Sequence, residues 1–496
     1  MSLVLGIDIG TQSVKAVIYD ADQKIITASA ARELSLSQRS DGSAEQHPDQ
    51  WLDALAAVTE QLRDNRLNSV EAVAVSGQQH GFVAIDQHNH VLAPAKLWCD
   101  TATVTEAEEI MARMGGADRC IDIAGNPILV GYTASKILHL KQTQPEPYSL
   151  IDSILLPHDY INLVLSGERS MECGDASGTG LLDIRTRRWS QPMLDALDPD
   201  RDIAALLPTP RQGLDQIGTV TRDAAARFGL PQGIPVATGG GDNMMAAIGT
   251  GATSPGRLTM SLGTSGTVFA YSDAPVIDPR GEIAGFCSST GGWMPLMCTM
   301  NCTVTTELLR GLFDTDIDHM ESAIASAPAG ANGVTVVPFF GGERTPNLPD
   351  GRGSIMGLTN ANFSQSNLLR AGAEGASFAL RYGVNRLKEL GIKASEITLT
   401  GGGSGSASWR QMIADICDVP TRVCTHVEGA AFGAALQALQ LLEPDSSIED
   451  IAHGHIRFDD AKGAHPNMDN VARYQDYYQR YQDYVSALRP LYEAQE

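Results

Sequence analysis

Positive charge is scarce in this chain of 496 residues, in which 36 Lys and Arg side chains stand against 59 Asp and Glu side chains. The formal net charge is −23, and a surface this acidic repels phosphate backbones and anionic lipids. We therefore expect neither a nucleic acid nor a membrane surface as a partner. The hydrophobic fraction of 43% is that of an ordinary globular protein with two or three domains.

Long apolar runs and paired cysteines are also missing. No window approaches the roughly 18 uncharged apolar residues of a membrane helix, and the N-terminal MSLVLGIDIG lacks the basic segment of a signal peptide. The eight cysteines include no CxxC pair, and no histidine lies near Cys298 and Cys302 at the spacing of zinc ligands. We expect free thiols in a cytoplasmic protein.

Two common nucleotide-binding motifs are absent. The chain has no Gly-Lys dipeptide, which excludes a GxxxxGK[ST] loop, and no glycine-rich turn after a strand reads GxGxxG. Glycine itself is abundant, with 49 residues against roughly 35 expected from background usage. Ten of these glycines fall in four turns that each follow a β-rich run, at positions 10, 239–241, 263, 266, 401–403 and 405. Backbone amides at such turns bind phosphate without lysine or arginine.

Two kinds of unit each occur twice along the chain. A hairpin with a Gly-Thr turn is predicted at 3–19 and another at 258–271. A strand, a triple glycine and a helix are predicted from 234–243 onward and again from 397–405 onward. We interpret the two pairs as an internal duplication in an α/β protein, with a boundary near 245–256.

Helical periodicity is clearest in four segments, at 48–63, 367–390, 429–442 and 471–488. The last segment carries a stripe of tyrosines. We interpret it as a helix packed on the body of the protein rather than as a cofactor site.

Two carboxylates occupy positions that suggest phosphoryl chemistry. Asp8 interrupts the apolar run LVLGIDI, so it either bonds to the following turn or holds a metal-bound water beside a phosphate, with Lys15 as a nearby cation. Asp242 follows three glycines at a predicted helix start. It either caps the helix or accepts the proton of a hydroxyl that attacks a phosphate.

A polar turn, GQQHG, separates two apolar runs within residues 72–85. Gln79 and His80 in this turn offer neutral donors and acceptors, which suit the recognition of a polyol better than a lone histidine would. Trp98 and Asp100 in KLWCD would add an apolar wall and a further acceptor.

Taken in order, these motifs resemble the FGGY family of carbohydrate kinases. The resemblance runs from Gly6 to about Leu442 through GIDIGTQSVK, SGQQHG, LWCD, YTASKILHL, GGGDN, SLGTSG, GGERTPNLPDGRG and GGGSGSASWRQ. Each segment alone is unspecific, whereas the ordered set is highly specific. It implies two actin-like (ribonuclease H-like) α/β domains with a duplicated core and an active-site cleft between them. The expected division is 1–248, 249–445 and a helical extension at 446–496.

The resemblance also implies roles for individual residues. Asp242 is the expected catalytic base, and Asp8 is expected to serve a Mg²⁺ site. The expected sugar-binding residues are Gln79, His80, Trp98, Asp100, Asp242 and Asn243. The expected ATP-binding residues are Thr11, Gln12, Ser13, Lys15, Gly263, Thr264, Gly402, Gly403 and Ser406.

The reaction implied is ATP-dependent phosphorylation of a ketopentose, with D-xylulose favoured. GQQHG with GGGDN favours a ketopentose over glycerol, while Cys99 and His139 depart from frequent family residues. Ribulose, gluconate and erythritol stay open as acceptors. Two alternatives belong to other functional classes: an actin- or chaperone-like ATPase and a catalytically silent sugar sensor. A homodimer is an oligomeric state compatible with the sequence.

Overall fold

The computed structural model describes residues 2–426 and 428–493 and contains two large sheets. In spatial order, the strands of the first sheet are Gln216–Thr219, Pro235–Ala237, Ala72–Gly77, Leu3–Ile9, Ser13–Asp20 and Ile25–Glu33, and Gly240–Gly241 also pairs with Ala72–Gly77. The strands of the second sheet are Ala284–Cys287, Trp293–Thr299, Gly266–Ala270, Arg257–Leu262, Glu396–Thr400 and Thr421–Val423.

Both sheets are built on one plan around a central strand. Leu3–Ile9 pairs antiparallel with the next strand of its hairpin and parallel with Ala72–Gly77. Arg257–Leu262 does the same, pairing antiparallel within its hairpin and parallel with Glu396–Thr400. Each hairpin is extended by a third antiparallel strand on the outer side. The predicted α/β fold, the two hairpins and the duplicated core are therefore confirmed.

The predicted equivalence of the two glycine-rich units is wrong. Glu396–Thr400 lies beside the central strand of its sheet, as Ala72–Gly77 does in the first sheet. Pro235–Ala237 lies one strand further out and corresponds to Thr421–Val423. The GGGSG loop is thus the counterpart of the GQQHG turn. A local pattern of strand, glycines and helix does not specify which neighbour the strand will pair with, because pairing is set by contacts distant in sequence.

The four predicted helices are all present, at Pro48–Leu62, Gln365–Glu389, Gly429–Leu442 and Met468–Glu493. The further helices are Val104–Met114, Ala117–Ala124, Thr133–Thr143, Pro145–Ser149, Pro157–Ser166, Cys173–Ala176, Gln191–Leu197, Arg222–Phe228, Asp242–Thr250, Thr303–Leu312, Ile317–Ser326, Ala407–Cys417 and Ile448–His455. Short strands complete the fold at Ser37–Gln38, Ala44–Gln46, Val83–Ile85, Ala95–Lys96, Ser153–Leu155, Met171–Glu172, Leu182–Asp183, Arg188–Trp189, Pro210–Arg211, Thr335–Val337 and Ser354–Met356. None of the helices within residues 2–426 and 428–493 combines the length and apolarity needed to cross a bilayer. All eight cysteines are free thiols.

The two halves meet where helices Asp242–Thr250 and Gly429–Leu442 cross between the sheets. A Cβ added to Gly249 would lie 2.0 Å from the carbonyl oxygen of Gly429, and one added to Gly433 would lie 1.8 Å from that of Met245. The two helix backbones are therefore in direct contact, which only glycine permits at these positions.

The tyrosine-rich helix Met468–Glu493 packs on the second half of the chain. Tyr474, Tyr478 and Tyr481 are buried against Phe378, with ring centroids 5.5 to 6.1 Å from its ring. The interpretation of this segment as a packed helix is thus confirmed.

The expected division of the chain stays a prediction. Helix Asp242–Thr250 runs through the expected boundary between 248 and 249, and the next long strand begins at Arg257. In the expected extension 446–496, residues 494–496 lie outside the described residues.

Candidate active site

A cleft of about 610 Å³ opens between the two halves of the chain and collects many of the predicted site residues. Its lining includes Thr11, Gln79, His80, Trp98, Asp242, Asn243, Gly263 and Thr264. The first six come from the first half and the last two from the second, so both halves together form the walls of the cleft.

Asp242 lines this cleft and is the first residue of helix Asp242–Thr250. Gly241 is the capping residue, so the interpretation of Asp242 as a helix cap is wrong. Its Oδ1 accepts hydrogen bonds from the backbone N and the side-chain Nδ2 of Asn243, at 2.8 and 3.1 Å. Burial and the negative charges of Asp8 and Asp175 raise the pKa of Asp242 to about 8. Oδ2 receives no hydrogen bond from any described residue and is available to a ligand.

Besides His80 Nδ1 and Thr267 Oγ1, two buried polar atoms in the cleft have no hydrogen-bond partner among the described residues. One is Nε2 of Gln79, whose Oε1 accepts a 2.7 Å hydrogen bond from Nδ2 of Asn243. The other is the hydroxyl of Tyr132, which the sequence showed only as part of YTASK. Leaving a buried polar group unpaired costs about 1–3 kcal/mol, so these atoms suit the hydroxyl groups of a ligand.

His80 is held rigidly at the wall of the cleft. Its backbone is left-handed, with φ of 62°, and its carbonyl oxygen accepts bonds from Thr133 Oγ1 at 3.1 Å and Lys136 Nζ at 2.7 Å. The ring packs against Tyr132 and Phe286, with centroid distances of 5.1 and 5.4 Å. Burial lowers the pKa of His80 although the adjacent Asp175 opposes this, so the neutral imidazole is favoured.

A chain of hydrogen bonds joins the predicted sugar turn to the predicted phosphate turn. Trp98 Nε1 donates to Thr11 Oγ1 at 2.9 Å, and that hydroxyl donates to Gln78 Oε1 at 3.0 Å. Gln78 Nε2 in turn donates to Gln46 Oε1 at 3.1 Å. Trp98 is therefore oriented as well as apolar, and Gln46 is a supporting residue that sequence reasoning missed.

Asp100 does not reach the cleft. It is fully buried, and its Oδ2 accepts hydrogen bonds from Ala44 N and Lys96 Nζ, both at 2.9 Å. Oδ1 accepts a further bond from Ala102 N at 3.1 Å. The expected contact of Asp100 with the sugar is thus not supported, because structural partners already use both of its oxygens.

Asp8 lies in strand Leu3–Ile9 at the base of the first turn. Its Oδ1 accepts a 2.7 Å hydrogen bond from Ser76 Oγ, and the strand register sets it opposite Lys15. Burial raises the pKa of Asp8, although Ser76 and Lys15 act to lower it. Lys15 itself forms a 3.1 Å ion pair with Glu428. Gln12, Ser13 and Lys15 do not line the cleft itself.

The two glycine-rich segments of the second half are in contact. Gly401 has φ of 79°, and a Cβ on it would lie 2.7 Å from the carbonyl carbon of Leu262. The 401–405 loop thus rests on the turn that carries Gly263 and Thr264. The carbonyl oxygens of those two residues accept the amides of Thr303 and Cys302 at 2.9 and 3.0 Å, which fixes the turn.

Ser406 caps helix Ala407–Cys417 instead of presenting a free hydroxyl. Its Oγ accepts a 3.0 Å bond from Trp409 N and donates to Glu321. Gly402 has open space on its Cβ side, whereas Gly403 packs on Leu262 and Trp409. Gly402, Gly403 and Ser406 lie outside the cleft described above.

Arg344 is a cleft residue to which sequence reasoning gave no role. It comes from the GGERTP segment and is exposed within the cleft. Its backbone N donates to Glu343 Oε1 at 2.8 Å, and the same oxygen accepts the amide of Met300. These bonds fix the backbone of Arg344, and a guanidinium exposed in the cleft is suited to a phosphate group. The sequence signal that could have identified Arg344 is its position in GGERTPNLPDGRG, one of the segments that resemble the family.

Comparisons with known proteins identify the family of this chain. Residues 3–249 match the N-terminal domain and residues 258–441 the C-terminal domain of the FGGY family of carbohydrate kinases. A xylulose kinase of Haemophilus influenzae is 40% identical over 98% of this chain and 100% of its own length. Two solved structures from Lactobacillus acidophilus, each 25% identical, superpose closely. A gluconate kinase covers 99% of both chains with a TM-score of 0.93, and a ligand-bound xylulose kinase covers 98% of both with a TM-score of 0.92.

Proposed function

Because the chain belongs to the FGGY family of carbohydrate kinases, we propose that it transfers the γ-phosphoryl group of ATP to D-xylulose and forms D-xylulose 5-phosphate. The observation that carries this proposal is the set of side chains around Asp242. The unpaired Gln79 Nε2 and Tyr132 hydroxyl lie in one cleft with a carboxylate whose Oδ2 is available. Neutral donors and acceptors suit an uncharged ketopentose, and the similarity to xylulose kinases favours D-xylulose among them.

Asp242 acts as the general base in this proposal. It accepts the proton of the sugar hydroxyl that attacks the γ-phosphorus. Phosphoryl transfer passes through a loose, metaphosphate-like transition state, so the hydroxyl loses its proton late. Positioning by Gln79, His80 and Asn243 then contributes more to the rate than the strength of the base does.

Asp8 and Asp242 are suited to a magnesium ion. Both are half-buried, and the charge of Asp8 raises the pKa of Asp242, so a cation near them would relieve their repulsion. The described residues contain no cluster of three side chains that would coordinate a metal on their own. Such a site matches an ion that keeps several waters and binds one or two carboxylates together with phosphates, as Mg²⁺ does. When bound, the ion would neutralise charge on the transferring phosphoryl group.

In this proposal the phosphates of the nucleotide bind between the two halves, and its adenosine binds on the second half. Backbone amides of the turns at Thr11–Ser13 and Gly263–Thr264 hold the phosphates, and Lys15 stands beside the first turn. Gly402 leaves room for the adenosine, and Ser406 supports its loop by capping the next helix. Closure of the two halves over both substrates excludes water, whose attack would hydrolyse ATP.

A panel of acceptors tests the substrate. ADP release is measured with D-xylulose, D-ribulose, gluconate, erythritol and glycerol at equal concentrations, and the sugar-free rate is subtracted. We expect D-xylulose to give a kcat/KM at least about tenfold above every other acceptor, since each unmatched polar contact costs about 1.4 kcal/mol or more. A higher kcat/KM for gluconate or a polyol would reject D-xylulose. A sugar-independent rate equal to the full rate would instead favour an ATPase.

The pH dependence of the reaction tests Asp242 as the base. The pKa of Asp242 is raised to about 8 by burial, Asp8 and Asp175, so most molecules carry the protonated, inactive form at lower pH. We expect kcat/KM for D-xylulose to rise about tenfold per pH unit below that value and to level off above it. Higher Mg²⁺ concentrations should move this limb to lower pH, because a cation favours the carboxylate. A flat profile between roughly pH 6 and pH 9 at low Mg²⁺ would contradict the assignment.

A further inference from the structure

A buried chain of titratable side chains runs away from the cleft behind His80. His80 Nδ1 lies 3.4 Å from Asp175 Oδ1, and the backbone N of His80 donates to that same oxygen at 3.2 Å. Asp175 Oδ2 lies 3.3 Å from His158 Nδ1, and His158 Nε2 lies 2.9 Å from Asp159 Oδ1. Asp175, His158 and Asp159 have no solvent exposure at all.

Stability alone does not account for such a chain. Buried ionic groups are costly to desolvate, and apolar residues of similar volume often give an equally stable protein. Although burial lowers it, the pKa of His158 is raised well above its usual range by Asp159 and Asp175. For Asp175, burial acts to raise the pKa, but the contacts with His158 and His80 outweigh burial and hold the pKa of Asp175 at about 2. Asp175 is therefore an anion supported by an imidazolium on one side, and it meets the neutral His80 on the other.

We infer that Asp175, supported by His158, positions His80 with the proton on Nδ1, so that Nε2 accepts a hydrogen bond from a hydroxyl of the sugar. A carboxylate can only accept hydrogen bonds, so the ring nitrogen that faces it carries the proton, and the other nitrogen is left as an acceptor. The inference rests on the proposed function, in which His80 contacts the sugar. His80 then distinguishes a hydroxyl, which can donate to it, from a carbonyl, which cannot.

The surroundings of His80 keep this geometry fixed. The ring cannot turn away from Asp175, because Tyr132 and Phe286 pack on it and Gly178 leaves no room beside it. A Cβ on Gly178 would lie 1.8 Å from His80 Cε1. Asp175 is thus a positioning residue that acts on the sugar through His80.

Replacing Asp175 by asparagine tests the inference kinetically. In Asp175→Asn the amide can donate to Nδ1 and no longer selects its protonated form. We expect KM for D-xylulose to rise about 5- to 100-fold, the range for leaving a buried hydroxyl without its acceptor, while KM for ATP stays within about twofold. Rates are measured above the acid limb of the pH profile, because the charge of Asp175 also raises the pKa of Asp242.

The matched control is Asp198→Asn. Asp198 is also buried in the first half, where it binds Lys141 Nζ at 2.7 Å and the Tyr148 hydroxyl at 2.5 Å, away from the cleft. Both KM values should stay within about twofold in this variant. A folded Asp175→Asn with an unchanged KM for D-xylulose would overturn the inference and leave the proposed function intact. A wild type that phosphorylates no ketopentose would overturn the proposed function and the sugar contact of His80 with it.

A second measurement needs neither sugar nor a stable Asp175 variant. Wild-type protein labelled with ¹⁵N-histidine is examined by long-range ¹H–¹⁵N NMR, and His80→Asn identifies the His80 signals. We expect the chemical shifts of a neutral ring protonated on Nδ1. Protonation on Nε2 alone would overturn the inference whatever the kinetics show.

Discussion

Replacing Asp242 by asparagine should lower kcat by about 10² to 10⁴, the usual loss when a general base is removed. Asparagine keeps the shape of the side chain and can still accept the backbone amide of Asn243, but it cannot take the proton of the attacking hydroxyl. ADP release with saturating D-xylulose and Mg²⁺-ATP measures the effect. Near-normal turnover would remove Asp242 from its role, and Asp198→Asn serves as the control for loss of a buried carboxylate.

The same variant should fold at least as stably as the wild type at neutral pH. Burial raises the pKa of Asp242 to about 8 in the folded chain, so its charge opposes folding. A carboxyl with a raised folded-state pKa contributes stability when protonated, and that contribution is lost as the pH rises from the unfolded value toward about 8. The substituted amide cannot ionise, so thermal unfolding of Asp242→Asn in this pH range should show a Tm equal to or above that of the wild type. A lower Tm would indicate a structural role.

Gly178→Ala should lower kcat/KM for the sugar by about 10²-fold, the scale of a misplacement of about 1 Å in an active site. The added methyl would lie 1.8 Å from Cε1 of His80, so the ring must move. Gly178 has no positive φ, and alanine is therefore compatible with its backbone. Kinetics with D-xylulose measure the change, and the KM for ATP should stay nearly constant.

Gly311→Ala is the control for this substitution. Gly311 lies in helix Thr303–Leu312, and nothing stands within 4 Å of the position that its Cβ would take. Its kinetics should match those of the wild type. An equal loss of activity in both variants, or no loss in Gly178→Ala, would show that the position of His80 does not limit sugar binding.

Features that depend on neighbouring residues could be predicted from the sequence. The hairpins at Leu3–Asp20 and Arg257–Ala270 were evident from alternating apolar residues and Gly-Thr turns. Asp242 was recognisable because three glycines precede it at a helix start. Each of these patterns lies within about twenty residues of chain.

Features that depend on contacts distant in sequence could not be predicted. His80 and Asp175 are 95 residues apart, and Asp175 sits in a four-residue helix without a distinctive pattern. The partners of Asp100 are of the same kind, because LWCD gives no sign that its carboxylate meets Ala44, 56 residues earlier. The order of the strands in each sheet could not be predicted either, since a glycine-rich loop does not indicate which strand its own strand will pair with.

The glycine contacts between helices Asp242–Thr250 and Gly429–Leu442 place Asp242 a short distance from the point where the two halves meet. Asp242 and Gly249 are seven residues apart, which is about 10 Å along the helix axis. If the halves rotate by about 10° around the crossing, the Asp242 carboxylate moves by roughly 2 Å relative to the second half. Gln79, His80 and Asn243 belong to the same half as Asp242 and move with it, so the angle between the halves sets the distance from the proposed sugar site to the turn at Gly263–Thr264. In our proposal, phosphoryl transfer therefore depends on how far the enzyme has closed.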